Sequence, residues 1–410
     1  MAARLPVNRI NRYKDSAEER IVKEMLDLFF TERNGFSFYN LVIRSSNARE
    51  GSLFSDATIS LQVLDDVNLL RNDLTCVYPK CGFVSMNDIL NEAVLKRFSI
   101  GGVSAVEDDP ESHAVFMVLL DFLHERSTHS KAIKKAFNSI WMDKSRVSTV
   151  LAQHLFSQLV PGNVCEVDGH QREVPTLCPC GCEANIVTGN TSIGSRGTWH
   201  GSVDILVNHT VPVSVIQYDS EDKAEVHNYS HEHDDRPVRK KRKREKGGEN
   251  DSSDFASTDE KVLYSTKVLQ KIFAESITNS FAQGNTNQLL LSEYLVPTFG
   301  ATSEHVTVCL YDSEHDYLFY IKQALYLWTA ENKFNIVTIM IIWLFLNFTV
   351  FTKNSFHSFL HLDKSSLHED LGKFLELYKK AETKGYDDSW TPHLHFKDVI
   401  PKFHSRREST

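Results

Sequence analysis

Apolar residues recur at helical spacing through the first part of the chain. After Ser16, which suits the N-cap position of a helix, they repeat every three or four residues and predict a helix over about 17–32. The same spacing predicts three more helices before Pro161, beginning near Ser112, Ala132 and Ser145. The region 1–143 is therefore expected to be mostly helical.

Short runs with alternating apolar residues replace this pattern further along the chain. Residues 201–207 are typical of a strand, in which one face carries Val203, Ile205 and Val207. Asp204 then lies on the opposite face. Residues 208–210 are predicted to form a turn and 211–217 a second strand, so that the two strands make a hairpin.

The hydrophobic pattern disappears over about 219–259, which is rich in charged residues and serine. Such a segment buries too little apolar area to offset the entropy of ordering, so a disordered insertion is predicted. Periodic residues return at Val262 and predict a helix that ends near Gly284. Strands are then expected at 289–296, 306–311 and 317–321, and helices from 336 and over 367–382.

This order of elements predicts an α/β fold with a mixed sheet flanked by helices. The core spans about 144–330 and contains the insertion, and the helices within 331–400 are expected to pack on it. Residues 334–352 carry no charge but are short for a membrane span, which needs roughly 20 apolar residues. A buried core helix is the expectation there, and no membrane partner is expected.

The composition is that of an ordinary globular protein, with 41% hydrophobic residues and a net charge of -9. The first eleven residues lack the apolar run of a signal peptide, and seven cysteines are too few and odd in number for a disulfide scaffold. A soluble protein of the cytosol or nucleus is therefore expected. Its thiols are expected to be reduced or to bind a metal.

Three cysteines are packed into five residues at Cys178, Cys180 and Cys182. Thiolates and imidazoles are the natural ligands of Zn²⁺, which takes four of them in a structural site. Cys165, Cys178 and Cys182 could supply three, and either Cys180 or His170 the fourth. Buried or free thiols and redox chemistry are the alternatives that the spacing leaves open.

The stretch 199–207, with the element order over about 145–321, resembles the restriction-endonuclease-like superfamily, the PD-(D/E)XK nucleases. The resemblance implies an aspartate on the second core strand, which is Asp204 here, and an acid-x-lysine pair on the third. Two such acids hold Mg²⁺, and the lysine helps to activate water for phosphodiester hydrolysis. A further helix then crosses the sheet.

This chain departs from the superfamily on the third strand. Gln217 stands where the acid is expected and Asp219 where the lysine is expected. An acid-x-lysine triplet, Glu221 to Lys223, lies just beyond, in the polar insertion. The catalytic hypothesis therefore has Asp204 as a Mg²⁺ ligand, Gln217 or Glu221 helping to hold the ion, and Lys223 as the cation near the water.

The helix from Val262 also carries Gln270 and Glu275. Some members of the superfamily place a glutamine of this helix near the active site. The simpler expectation for both residues is a solvated position beside the apolar face of the helix.

The insertion contains six consecutive basic residues, Arg239, Lys240, Lys241, Arg242, Lys243 and Arg244. Such a run is typical of a nuclear localisation signal read by an import receptor, and it could also contact phosphates of a nucleic acid. The plainer alternative is a solvated run of charge, in which case a cytoplasmic location remains the default.

The function predicted from the sequence is a nuclear, nuclease-like and degenerate protein. It would bind nucleic acid or, if active, hydrolyse phosphodiesters with Mg²⁺. The alternative is a non-enzymatic nuclear interaction or scaffold protein with a structural zinc site. No nucleotide-binding loop, zinc-protease motif or serine-hydrolase elbow points to another enzyme class.

Overall fold

One large mixed sheet organises the chain. The computed structural model describes residues 12–31, 36–62, 82–137, 143–171, 174–217, 265–286, 291, 293–354 and 359–384. Its strands are β1 (Ser37–Leu41), β2 (Ile43–Ser46), β3 (Ile59–Leu61), β4 (Phe83–Ser85), β5 (Cys165–Asp168), β6 (Thr188–Gly189), β7 (Ser192–Gly194), β8 (His200–Ser202), β9 (Ile205–Val207), β10 (Val211–Val215), β11 (Val296–Ala301), β12 (His305–Asp312), β13 (Tyr317–Ile321) and β14 (Leu325–Tyr326).

Ten of these strands join in the order β4-β1-β13-β12-β11-β10-β9-β5-β6, with β14 paired to β12. The pairs β10–β11 and β5–β6 are parallel, and the other pairs of the sheet are antiparallel. Two small two-stranded sheets, β2–β3 and β7–β8, lie apart from it. The predicted α/β class with a mixed sheet flanked by helices is therefore observed.

The helices lie before, between and after the strands of the sheet. They are α1 (Ala17–Thr31), α2 (Met86–Ile89), α3 (Glu92–Gly101), α4 (Pro110–Phe137), α5 (Lys144–Leu151), α6 (Thr266–Thr286), α7 (Ile336–Leu346), α8 (Phe348–Phe351), α9 (Leu367–Leu371) and α10 (Leu375–Tyr378). A π-helical turn, Ala152–Phe156, continues α5. The predicted cap of α1 is present, because the hydroxyl of Ser16 accepts the backbone N–H of Glu19 at 3.0 Å.

Both faces of the large sheet are buried, each under its own hydrophobic core. One core contains Val213 and Phe299 with the apolar sides of α4 and α7. The other contains Leu206 and Cys309 with α6, which packs on β10, β11 and β12. Strands covered on both faces are apolar along their whole length, which explains why β11, β12 and β13 are fully buried.

The uncharged segment at 334–352 supplies the buried helix that its pattern predicts. Asn335 caps α7 by accepting the backbone N–H of Val337 at 3.2 Å. The indole of Trp343 donates to the carbonyl of Val115 at 2.8 Å, which ties α7 to α4. None of the helices in the described part of the chain has both the length and the apolar character that a bilayer crossing requires.

The N-terminal region contributes strands that the helical pattern did not predict. β1 pairs with β13 and β4 pairs with β1, so Ser37–Leu41 and Phe83–Ser85 extend the same sheet as the core. These strands are only three to five residues long, too short for a periodic signal. The helices predicted from Ser112 and over 132–142 are one continuous helix, α4, as far as Phe137.

Two predictions near the C-terminus need correction. Among the described residues of the strand expected over 289–296, only Val296 is in a strand, where β11 starts. The helix expected over 367–382 is broken, because Gly372 follows α9 with a left-handed φ of 53°. Residues 219–259 and those beyond 384 lie outside the described residues.

The hydroxyl of Tyr378 offers a test of how the C-terminal segment is held. It donates to the carbonyl of Ala48 and accepts the backbone N–H of Trp199, both at 3.0 Å. We expect Tyr378→Phe to lower the free energy of unfolding by about 1–3 kcal/mol, because two buried backbone groups lose their partner. Urea denaturation measures this change.

The control for that experiment is Ser55→Ala, which removes a hydroxyl group from a residue exposed to solvent. We expect it to change the free energy of unfolding by less than about 0.5 kcal/mol, as surface substitutions usually do. Equal stability of Tyr378→Phe and the parent protein would show that the hydroxyl does not hold the C-terminal segment.

Candidate functional site

Four side chains of the kinds that bind metals lie close together. The Nε2 atom of His154 lies 3.1 Å from the Sγ of Cys180 and 3.4 Å from the Sγ atoms of Cys178 and Cys182. All four ligand atoms are within 4.8 Å of one another. We call His154, Cys178, Cys180 and Cys182 the metal group.

Local backbone structure brings the three cysteines to one point. A bridge between Leu177 and Asn185 closes the loop that carries them, and the N–H of Cys178 donates to the carbonyl of Ala184 at 2.9 Å. Gly181 sits between two of the thiols with a left-handed φ of 83°, where a side chain would be strained. His154 comes from the π-helical turn after α5, a frequent feature of functional sites.

The imidazole of the metal group is already in the protonation state of a metal ligand, whereas its buried thiols would release protons on binding a metal. Burial, with His129 nearby, lowers the pKa of His154 to about 4, so its imidazole is neutral and keeps a lone pair. Burial raises the pKa values of the thiols of Cys178 and Cys180. Burial acts in the same direction on Cys182, but backbone and thiol hydrogen bonds lower its pKa overall.

The donor set and its spacing fit Zn²⁺. A tetrahedral zinc ion, with bonds of about 2.0–2.3 Å, places its ligand atoms about 3.5–3.8 Å apart. Four of the distances between ligand atoms of the metal group, at 3.1 to 3.4 Å, differ from this by a few tenths of an ångström, and all lie within 4.8 Å. The metal group could therefore hold a metal such as zinc.

The structure shows which of the ligand candidates from the sequence lie close together. Cys178, Cys180 and Cys182 come together as predicted, but neither Cys165 nor His170 belongs to the metal group. Cys165 is buried on β5, and the imidazole of His170 lies 3.0 Å from the carboxylate of Asp168. The fourth member of the metal group is His154, which lies on a helix 24 residues before Cys178 and so shares no spacing pattern with it.

A second polar cluster surrounds Asp204, which lies between β8 and β9 and is 4% exposed. Its Oδ1 atom accepts hydrogen bonds from Lys144 Nζ at 2.8 Å and from Gln171 Nε2 at 2.7 Å. Its Oδ2 atom accepts the backbone N–H of Val215 at 2.8 Å. The carboxylate thus joins α5, the loop after β5 and the end of β10.

Glu275 of α6 brings a second carboxylate to the same place. It is fully buried, and both of its oxygens are within 2.8 Å of the hydroxyl of Ser214 on β10. Lys271 Nζ lies 3.5 Å from its Oε1 atom. We call Asp204, Glu275, Lys144 and Lys271 the acid–lysine cluster.

Each acid of the acid–lysine cluster lies beside a lysine. Burial raises the pKa of Glu275, and the carboxylate of Asp204 adds to this effect. Burial opposes the charged form of Lys271, but Glu275 and Asp204 raise its pKa above the ordinary value. Lys271 thus faces the buried carboxyl group of Glu275, and Lys144 reaches the buried carboxyl group of Asp204 from a partly exposed position.

The acid–lysine cluster differs from the predicted catalytic set. The strand predicted over 201–207 is divided between β8 and β9, which belong to different sheets, so Asp204 lies in the bend between them and not on a strand. The acid and the lysine near it come from α6 rather than from the third strand. Gln217 lies two residues beyond β10, and Glu221 and Lys223 lie outside the described residues. Glu275 was expected to be solvated and is fully buried, whereas Gln270 donates to the carbonyl of Ile59 at 2.9 Å.

As folded, the acid–lysine cluster does not fit Mg²⁺. That ion needs free carboxylate oxygens and room for several bound waters. Both oxygens of Asp204 accept hydrogen bonds, and the oxygens of Glu275 lie against the single hydroxyl proton of Ser214 and the ammonium group of Lys271, with no solvent access. The donors that occupy these oxygens come from the protein itself.

Comparison with known proteins adds no assignment. No protein family model, curated protein or solved structure matches the chain. The metal group and the acid–lysine cluster therefore have to be interpreted from their own geometry.

Metal content tests which histidine is the ligand. We expect the purified protein to hold about one zinc per chain, and His154→Ala to hold much less, because three thiolates alone leave the tetrahedron incomplete. His170→Ala is the matched control and should keep the zinc of the parent protein. Atomic emission measures both. Loss of zinc in His170→Ala, with retention in His154→Ala, would contradict the assignment.

Proposed function

We propose that this chain is a nuclear, non-hydrolytic scaffold with a nuclease-like fold, braced by a structural zinc ion in the metal group. The observation that carries the proposal is the occupancy of Asp204. The carboxylate that a nuclease would offer to a metal is filled by Lys144, Gln171 and the backbone of Val215. A protein of this kind acts through its partners rather than through bond cleavage.

The order of elements around Asp204 supports the nuclease-like part of the proposal. After α5, the strands β5, β9 and β10 are antiparallel neighbours. The helix α6 then packs across the sheet, and β11 returns parallel to β10. A helix before the sheet and a helix across it are what the resemblance implies, and Asp204 lies immediately before the second of these strands rather than on it.

The position of the metal group supports a structural role for zinc. Its ligands join the helical segment after α5 to the loop between β5 and β6. A zinc ion held there would fix that loop against the helix and stabilise the strands that follow. Ligand binding to a folded site adds directly to the free energy of folding. Three of the four ligands are buried, which favours a closed site over a catalytic one.

The basic run Arg239 to Arg244 supports the nuclear part of the proposal, although it lies outside the described residues. Six adjacent cations give an import receptor a dense row of charges to read. The same run would also attract the phosphates of a nucleic acid, with an affinity that falls as salt rises. An import receptor and a nucleic acid are thus the proposed partners.

A second candidate function is metal-dependent hydrolysis of phosphodiesters. It is favoured by the convergence of Asp204, Glu275 and Lys271, which together restore the acid and lysine missing from the third strand. Lys144 would have to leave Asp204 for any cation to enter. Its side chain is 42% exposed, so such a movement meets little packing.

Cleavage assays separate the two functions. We expect the protein to leave single- and double-stranded DNA and RNA intact with Mg²⁺ or Mn²⁺, because the oxygens of Asp204 are occupied. Gel electrophoresis measures the products, and Asp204→Ala is compared in parallel. Cleavage by the parent protein that Asp204→Ala abolishes would establish the second candidate. Equal cleavage by both would mean that Asp204 is not responsible.

Asp204→Ala should also be less stable than the parent protein. Its loss leaves the buried N–H of Val215 and the amide of Gln171 without their acceptor, which costs about 2–4 kcal/mol. Urea denaturation measures the free energy of unfolding. Asp108→Ala is the control, because Asp108 lies in the exposed turn before α4. Equal stability of the two variants would contradict a structural role for Asp204.

Removal of the basic run tests the nuclear proposal. In a fluorescent fusion, we expect deletion of 239–244 to abolish nuclear accumulation, because the import receptor loses its row of charges. Deletion of 247–252, a nearby segment of equal length without basic residues, should leave it intact. Fluorescence microscopy measures the nuclear fraction. Unchanged accumulation after loss of 239–244 would show that another signal acts.

A further inference from the structure

A fifth titratable side chain, that of His129, lies beside the four of the metal group. The Nδ1 atom of His154, on the side of the ring away from the thiols, lies 3.3 Å from the Nδ1 atom of His129 on α4. Both imidazoles are buried, with 5% and 7% of their surface exposed. The thiols contact His154 only through Nε2. The contact with His129 is thus separate from the ligand positions.

We infer that His129 is a positioning residue of the metal group. It accepts a hydrogen bond from the Nδ1–H of His154 and so holds that ring in the orientation and tautomer that bind zinc. The inference rests on the proposed structural zinc. It gives α4 a role in metal binding, although α4 supplies none of the four residues of the metal group.

The direction of the hydrogen bond follows from the chemistry of imidazole. A neutral imidazole carries one proton, and the nitrogen that binds a metal must keep its lone pair. With Nε2 of His154 turned to the thiols, its proton is on Nδ1 and points to His129. A contact between two nitrogens needs one donor and one acceptor, so Nδ1 of His129 is the acceptor. The proton of His129 is therefore on Nε2.

The surroundings of His129 hold it in this arrangement. Its Nε2 atom, the remaining donor, faces the carboxylate of Glu125 one turn earlier on α4, with 3.8 Å between Nε2 and Oε2. The ring of Phe122, two turns earlier, lies parallel to the imidazole with 5.3 Å between ring centroids. Residues at these intervals share one face of a helix. The imidazole is thus fixed on one side by packing and on the other by a charge.

The same helix also reaches the cysteine loop directly. Lys135 Nζ lies 3.3 Å from the position that a Cβ would take at Gly181. Zinc with three thiolates and a neutral imidazole carries one net negative charge, which a neighbouring ammonium offsets. Outer groups that bond to a ligating histidine commonly change metal affinity about 10–100-fold when they are removed.

Three variants test the inference. His129→Leu removes the acceptor and keeps an apolar side chain, so we expect zinc affinity to fall about 10–100-fold. His129→Asn keeps an oxygen acceptor close to the position of Nδ1 and should retain more affinity than His129→Leu. His113→Leu is the matched control, because it removes another buried histidine of α4 whose Nε2 has no hydrogen-bond partner among the described residues.

Zinc affinity is measured by competition with a chromogenic chelator, and the ligand field by the visible spectrum of the cobalt-substituted protein. We expect His129→Leu alone to show both the lower affinity and an altered cobalt spectrum. Equal affinities and spectra for His129→Leu and the parent protein would overturn the inference. So would equal losses in His129→Leu and His113→Leu, or in His129→Leu and His129→Asn.

Failure of the proposed zinc site gives a different result. If the parent protein takes up neither zinc nor cobalt, the structural zinc is wrong and the role of His129 falls with it. If the parent protein binds both metals and the His129 variants do the same, only the role of His129 is wrong.

Discussion

A sheet buried on both faces has to neutralise every charge that it encloses, and this constraint governs the centre of the protein. Asp204 lies at a break in the strand between two hydrophobic cores. An unpaired carboxylate there would cost several kcal/mol. Lys144, Gln171 and the backbone of Val215 meet that requirement from three different elements. Asp204 therefore holds α5, the loop after β5 and β10 together.

Glu275, on the helix that crosses the sheet, is also a buried acid that needs polar partners. Its carboxylate can be buried only because Ser214 and Lys271 satisfy it. The register of α6 on the sheet is thus tied to a polar contact as well as to apolar packing. The features that make the acid–lysine cluster stable are also those that fill the oxygens a hydrolytic metal would need. Structural and catalytic use of these side chains compete for the same lone pairs.

The metal group also brings buried polar side chains together, here thiols and an imidazole. Its three thiols and one imidazole meet at one point, and three of the four side chains are buried. A metal ion there would bind all four ligand atoms. His129 and Lys135 of α4 surround this point. The metal group and the acid–lysine cluster lie at opposite ends of one continuous segment, because α5 carries Lys144 at its start and leads into His154. A zinc ion would therefore steady the helix that neutralises Asp204.

The amino-acid sequence by itself determined the elements whose signal is local. Helical periodicity located α1, α4 and α6, alternation located the hairpin of β9 and β10, and the clustering of Cys178, Cys180 and Cys182 pointed to three of the four members of the metal group, although Cys165 was wrongly included. Only the tertiary structure decided which distant side chains meet: His154 with the cysteines, Glu275 and Lys271 with Asp204, and β1 with β13. These contacts depend on how helices pack on the sheet. A pattern read along the chain records which residues are apolar, but it does not record which residues from separate elements share one buried space.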